Sequence, residues 1–399
     1  MRLSPSSPPP AYSAAPPAVS RSRVLWLSCV AHALHDGYTD MIYVLLPVWR
    51  TDFGLDYGTL ALLRGLYAGT MASLQLPAGR LARRLGGRSV LALGTLLAAL
   101  GYAVAGSSAG LFGLCVALAL SGAGSSTQHP IASGSVSHAY GRDARGPLSV
   151  YNFSGDVGKS ALPAAMSLLV GATPWRHALW MMVVPGCMVA AVLALFLPSV
   201  APSEPAVVPG QAGGKVGGNG FSLLFMTGVL DTAVRMGLLT FLPFLLQEKG
   251  ASLPVVGTAL ALVFIGGAAG KFACGWLGAR MGVMGTVLAT EGGTAACIIA
   301  VMLLPLVPAL VLLPLLGMML NGTSSVLYGT VPELAQPGHT ERAFAWFYTG
   351  TIGSGAISPV IYGVLGDHIG VRGGTLATAL TALAILPLAL GLRPYLARV

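Results

Sequence analysis

Apolar stretches of about twenty residues recur along the chain, separated by short polar breaks. Each is long enough to cross a bilayer core of about 30 Å as a helix. Twelve such stretches start near Val24, Thr59, Ser89, Leu111, Leu148, His177, Phe221, Pro254, Val283, Pro308, Ala343 and Gly374. Residues 198–220 break the rhythm. They read PSVAPSEPAVVPGQAGGKVGGNG, a Pro/Gly linker with little apolar periodicity. The pattern predicts an all-α integral membrane protein with twelve transmembrane helices, arranged as two six-helix bundles around a central cavity. The expected organisation is a disordered tail over 1–22, a first bundle over 23–197, a cytoplasmic linker over 198–220, a second bundle over 221–393 and a short tail over 394–399. The first segment is rich in Ser, Pro and Ala and cannot build a core.

The two halves read as a repeat. Adding 196 to a position in the first half maps Pro47 onto Pro243, Gly54 onto Gly250, Gly79 onto Gly275, Gly86 onto Gly282 and Pro163 onto Pro359. One coincidence is expected in a chain with 54 glycines, but a constant offset in separate regions is not. Around the fourth and tenth spans the offset becomes 199, placing Ser125 and Ser126 on Ser324 and Ser325.

Composition agrees with the bilayer as solvent. The 399 residues are 54% hydrophobic and 9% charged, against about 25% charged in a soluble domain. Mean hydropathy is +0.76. The net charge of +9 does not point to nucleic acid, because the basic residues sit in loops on one side. With the N-terminus inside, that side collects Arg2, Arg21, Arg23, Arg80, Arg83, Arg84, Arg88, Arg142, Arg145, Lys215, Arg280, Arg342, Arg393 and Arg398. The other collects only Arg50, Arg176, Lys249 and Arg372. The bias predicts a multi-pass protein of the bacterial inner membrane with both termini cytoplasmic. The run after Arg21 and Arg23 is long, polar in places and lacks a cleavage site, so it does not read as a signal peptide. Cys29, Cys115, Cys187, Cys274 and Cys297 lie in apolar runs and read as small packing residues without disulfides.

Nine ionisable residues fall inside the predicted spans: Asp36, Asp40, Asp156, Asp231, Glu291, Arg64, Lys159, Arg235 and Lys271. Each would cost roughly 2.5–3.5 kcal/mol at a helix centre facing lipid. They must therefore face one another or water, which a polar cavity between helices supplies. His32, Asp36 and Asp40 stand at i, i+4 and i+8 on one face of the first span, flanked by His35 and Thr39. Acids beside histidines can hold and pass a proton; the alternative is a static hydrogen-bonded patch. Asp40 falls close to the outer end of its span. In the fifth span Asn152, Asp156 and Lys159 share a face. Asp156 and Lys159 either neutralise each other or hold a substrate anion between them. Asp231 and Arg235 repeat the theme at i, i+4 in the seventh span, with Asp231 at the repeat position of His35. Lys271 has no acid nearby in sequence and needs a partner across helices, such as Glu291 or Asp231, or a ligand anion. His129 precedes Pro130, which loosens the helix and lets a polar side chain reach the cavity. Arg64 can snorkel to the outer interface. Tyr348 and Tyr328 are candidates for the cavity wall, and Gly266, Gly267 and Gly270 for a packing seam.

Several of these segments resemble the fosmidomycin resistance transporters, a branch of the Major Facilitator Superfamily. His32-Ala-Leu-His35-Asp36 is similar to that branch's H-x-x-N-D run. Gly122-Ala-Gly-Ser-Ser-Thr-Gln-His129-Pro130 resembles G-x-G-S-S-x-x-H-P, and Tyr151-Asn-Phe-Ser-Gly-Asp156-Val-Gly158 resembles F-Q-x-G-G-N-x-G. The likeness covers the first half in motif and the second in layout. The chain departs from the pattern at Ile131, Asn152, Ser154, Asp156 and Lys159. The loop from Gly79 through Arg83, Arg84 and Gly86 to Arg88 resembles the superfamily's G-x-x-x-D-R-x-G-R signature, with Arg83 in the place of the acid. The resemblance implies alternating access by two rocking halves, with Gly79, Arg83, Arg84 and Gly86 in gating. It further implies efflux of an antibiotic-like molecule in exchange for protons, as in drug resistance. Asp36, His32, His35 and Asp231 are the expected proton-coupling residues. His129, Gln128, Asn152, Asp156, Lys159, Arg235, Lys271 and Tyr348 are expected to bind a small polar or anionic substrate.

No G-x-x-x-x-G-K-[ST] loop is present, so ATP is not the expected energy source. No His, Cys and carboxylate set has metal-site spacing, and no nucleophile–base arrangement is supported. The reading is therefore a secondary carrier, not an enzyme, that works as a monomer in the lipid bilayer without a cofactor. An uptake symporter of organic anions or sugars is the alternative, and a non-transporting receptor a lesser one.

Overall fold

The structure is a computed structural model describing residues 18–198, 218–336 and 339–396. Residues 1–17 of the expected tail, 199–217 of the expected linker and 397–399 lie outside the described residues, as do Arg2, Lys215 and Arg398. The first half comprises α1 (Ala18–Phe53), α2 (Tyr57–Leu85), α3 (Gly87–Ser107), α4 (Leu111–Ser125), α5 (Gly134–Tyr140), α6 (Arg145–Ala172) and α7 (Trp175–Phe196). The second comprises α8 (Asn219–Glu248), α9 (Leu253–Leu303), α10 (Leu306–Leu334) and α11 (Thr340–Leu392). Helix α1 already includes Arg21 and Arg23, so it starts several residues before the expected boundary.

These elements make twelve membrane crossings. Helix α9 carries two, divided at Gly282, and α11 carries two, divided at Gly370, each glycine taking a positive φ. The fourth crossing is α4 and α5 joined by a π-helical turn at His129–Ser133. Pro130 has no N–H to give the ladder, and the wider turn absorbs that loss. The repeat is visible in the backbone itself. Gly54 and Gly250 turn at φ 63° and 87°, Gly86 and Gly282 at 87° and 69°. Both pairs differ by 196 in sequence, and both hold the left-handed conformation that only glycine takes cheaply. Eight stretches among the described residues are long and apolar enough to cross a membrane. Helices α1, α2 and α6 are not among them, because they carry the polar residues of the cavity. The outward faces are apolar, with Phe112, Leu195, Val307 and Val311 exposed. This inverted arrangement suits a lipid solvent.

Close packing depends on missing side chains. In the first half α1 lies on α6, and α3 lies between α4 and α7; in the second α8 lies on α11 and α9 on α10. A Cβ at Gly158 would strike the Ala33 backbone of α1, and one at Gly124 the Ala98 backbone of α3. Gly266 and Gly270 meet the α10 backbone at Pro314 and Met318, as the expected seam requires. The five cysteines are free.

The halves meet through α2 against α11 and α6 against α9. Their contacts gather at the end of the bundle that carries the α1–α2 turn. There the Asp367 carboxylate of α11 accepts the N–H groups of Tyr57 and Gly58, at 2.7 and 2.9 Å, and so caps α2 from the opposite half. The Tyr57 ring packs edge-on against Phe244 of α8 at 5.0 Å. Gly65 abuts Ala356, and Gly171 abuts Pro254. Further along the same helices the space around Gly69, Gly79 and Gly353 is open. The cavity between the halves is thus closed at the α1–α2 turn and open toward the N-terminal end of α1.

Candidate functional site

A cavity of about 250 Å³ lies between the halves. Helix α1 supplies Asp36, Thr39 and Asp40, α2 supplies Arg64 and Met71, the π-turn His129, and α6 Asp156 and Lys159. From the second half come Arg235, Met236 and Leu239 of α8, Phe264, Gly267 and Lys271 of α9, and Asn321 of α10. Four bases and three acids thus share one small volume.

The helical stripe of α1 organises the first half of the site. Asp36 is its hub: one carboxylate oxygen lies 3.2 Å from His32 Nε2 and 3.2 Å from Lys159 Nζ, and the other 3.8 Å from His129 Nε2. His32 Nδ1 faces the Tyr151 carbonyl at 2.8 Å, and its ring stacks on Tyr151 at 4.1 Å. Both ring nitrogens of His32 therefore face oxygen acceptors. A neutral imidazole has one N–H, so both contacts are hydrogen bonds only when His32 or Asp36 carries an added proton. His32, Asp36 and His129 also offer three ligand atoms within 4.8 Å of one another. The Lys159 ammonium, 3.2 Å from one Asp36 oxygen, is already a cation beside this set.

Several expected pairings are redrawn. Asp156 and Lys159 do not neutralise each other. Lys159 reaches Asp36 on α1, while both Asp156 oxygens lie 2.7 Å from Lys271 Nζ. Helix α6 packs between α1 and α9, so each charge finds its partner on a neighbouring helix and not one turn along its own. Lys271 accordingly bridges the halves and does not pair with Glu291 or Asp231. His35 is not in the cavity. It is buried inside the first half, with Nδ1 3.2 Å from Ser125 Oγ and Nε2 3.0 Å from Thr95 Oγ1, on the flank of the stripe turned toward those hydroxyls of α4 and α3. Gln128 is buried behind the site and donates to the Tyr151 hydroxyl at 2.7 Å. Asn152 is exposed and does not line the cavity. Tyr348 is 50% exposed, packs on Tyr328 at 4.8 Å and is not among the residues lining the cavity. Asp231 and Arg235 do pair, at 3.5 Å, with Ser324 donating to the same Asp231 oxygen at 3.2 Å.

Arg64 and Asp40 belong to the cavity although the sequence pointed both toward the outer surface. Arg64 is only 4% exposed. It lies over the rings of Tyr43 and Tyr67 at 5.2 and 5.7 Å, and its Nε and Nη1 have no acceptor among the described residues. Arg235 Nε is in the same condition. The one signal available beforehand was an arginine with no acid within a turn on its own helix. Asp40 lines the cavity without an ion pair among the described residues.

The family model of the Major Facilitator Superfamily matches residues 28–230 and again 224–398. The chain belongs to the Major Facilitator Superfamily. It is a multi-pass membrane transporter that works by alternating access. No curated protein matches it in sequence. Among solved structures it resembles a bacterial homolog of the human lysosomal transporter Spinster in an inward-facing, occupied conformation, with a TM-score of 0.79 and 15% identity over 96% of this chain and 98% of that one. The unoccupied inward-facing form of that homolog gives a TM-score of 0.77 at 16% identity, covering 95% and 98%. A mutant of the nucleoside transporter NupG gives 0.76 at 11% identity, covering 95% and 100%. At such identities the likeness extends to the fold alone. In the superfamily signature loop, Gly86 ends α2 with its N–H donating to the Ala82 carbonyl at 2.9 Å. Gly79 lies in open space within α2, Arg84 is exposed, and Arg83, in place of the acid, reaches only the Gly79 carbonyl at 3.5 Å.

Proposed function

We propose that this superfamily member is a proton-coupled carrier of a small organic anion. The observation that carries this reading is the state of the four cavity cations. Lys159, Lys271 and Arg235 are ion-paired and Arg64 is in no ion pair among the described residues, yet Arg64 Nε and Nη1 and Arg235 Nε keep buried N–H groups without acceptors. A buried guanidinium in that condition is costly until a ligand answers it. A carboxylate or phosphonate does so with paired bonds that match the planar fork. Arg64 on one half and Arg235 on the other would grip the anion, with His129, Asp156, Lys159 and Lys271 framing it. The proton assignment stays with His32, Asp36 and Asp231. The carrier acts as a monomer in the bacterial inner membrane. Both termini are in the cytoplasm, by the charge bias of its loops, and the open end of the cavity then faces inward.

The test is transport into proteoliposomes of a panel of mono- and dicarboxylates and phosphonates under an imposed pH gradient. Arg64→Gln should weaken the apparent affinity for the transported compound about 10–100-fold, since a hydrogen bond to a charged group contributes roughly 1.5–3 kcal/mol. Unchanged affinity would refute the anion grip.

Two observations bear on direction. The likeness of the first half to the fosmidomycin resistance transporters supports efflux in exchange for protons, as in antibiotic resistance. An anion entering against an inside-negative potential needs a positive charge beside it, which supports uptake of an anion together with protons. Loss of the gene separates them: sensitivity to a toxic compound follows from lost efflux, and failure to grow on an organic acid from lost uptake.

A further inference from the structure

Glu291 has no part in the cavity, yet it is 2% exposed in the middle of the second half. It lies on the second crossing of α9, and its carboxyl neighbours that of Asp231 on α8, itself 3% exposed. Thr323 of α10 also meets Glu291, and Ser324 of α10 donates to Asp231 at 3.2 Å. Arg235, at 3.5 Å from Asp231, is the cation acting on the pair among the described residues. The remaining neighbours, Tyr328 of α10 and Phe347 and Thr351 of α11, are neutral. Two neighbouring carboxylates, buried and facing one guanidinium, repel each other when both are ionised, which favours holding one proton between them. A proton shared between them relieves that repulsion, as in paired carboxyls generally.

We propose that Asp231 and Glu291 form a two-carboxyl proton site that loads together with the transported anion and communicates with the cavity through Arg235. The proposal rests on the anion-carrier reading above. Arg235 borders both spaces: its Nη2 faces Asp231, while the residue lines the cavity. With one proton the pair bears a single negative charge, which Arg235 balances. Without it the pair bears two, and Arg235 is drawn toward Asp231 and away from an anion. Proton and anion therefore favour each other's binding, and the coupling is reciprocal. The proton passes from cavity water onto the pair, beside a pocket of about 10 Å³ at Asp231 that admits a single water at most. It returns to water on the opposite face after the halves rock. Loading of proton and anion on the same face is cotransport, so the site assigns the sign of coupling as well as its location.

The test uses the full chain in lipid nanodiscs. Infrared difference spectra across a pH titration should show a protonated-carboxyl band that Glu291→Gln and Asp231→Asn each remove. A band that survives in both variants would overturn the proton site, and this readout needs no substrate. Separately, succinate and methylphosphonate are titrated as probe anions at several pH values. Affinity should rise up to tenfold per unit fall in pH, the limit for one linked proton, with protons taken up on binding. Glu291→Gln should retain binding but lose this dependence. Proton release on binding would overturn the cotransport sign. If neither probe binds, the anion-carrier reading fails, and the infrared titration alone decides whether the pair holds a proton.

Discussion

Asp367 is the residue through which the closed end of the cavity can be loosened without touching the charged site. Its carboxylate accepts two backbone N–H groups from the first turn of α2, at 2.7 and 2.9 Å, and both bonds cross from one half to the other. Each hydrogen bond to a charged group is worth roughly 1.5–3 kcal/mol when shielded, and an anion at a helix N-terminus adds about 0.3–1 kcal/mol. The site is solvent-exposed, where charge interactions are much reduced, so we take about 1.4–2.8 kcal/mol for the whole contact. Asp367→Ala should then shift the equilibrium between closed and open at this end about 10–100-fold toward open. Spin labels on Thr51 and Ser252, both exposed there and on opposite halves, report the change by pulsed electron–electron resonance once the five native cysteines are replaced. The parent protein should give one short-distance population, the variant a second and longer one. Identical distributions would show that the cap contributes nothing to closure.

Further outcomes follow from the packing and the ion pairs. Asp156→Lys and Lys271→Asp should each lower transport more than tenfold, and the double exchange should recover part of it, because the two side chains pair across the halves; transport no better in the double variant than in either single one would remove the pair from the cycle. Gly158→Val forces a side chain against the Ala33 backbone and should lower stability by about 1–3 kcal/mol in thermal unfolding of the detergent-solubilised protein. Gly292→Ala, which meets nothing within 4 Å, is the matched control and should leave the melting temperature unchanged.

Features that depend on local sequence were legible before the structure. The crossings follow from apolar run length, and the duplicated halves follow from turn glycines that keep their spacing because each needs a left-handed backbone. The i, i+4 stripe of His32, Asp36 and Asp40 was legible for the same reason. Pairing was not, because it depends on which helices become neighbours. Lys159 and Asp156 look like partners along α6, but they separate to α1 and α9. His35 and His32, three residues apart, lie on adjoining parts of one helix face, and it is the Thr95 and Ser125 hydroxyls of α3 and α4 that hold His35 inside the half-bundle. Arg64 looks like an interfacial arginine from its place in the chain. Tyr43 and Tyr67 enclose it instead, and nothing local announces them as its neighbours.

The charges around the cavity fix what each cycle moves across the membrane field. Arg64, Lys159, Arg235 and Lys271 stand against Asp36, Asp40 and Asp156 in the cavity and Asp231 beside it, so with one proton on the Asp231–Glu291 pair neither sign is in excess. Under the proposed coupling a monoanion enters with one proton, and the loaded carrier has the same charge as the empty one. Such a cycle follows the pH and anion gradients and is blind to the membrane potential. A dianion taken with one proton moves one negative charge, and a 100 mV inside-negative membrane opposes its entry by about 2.3 kcal/mol.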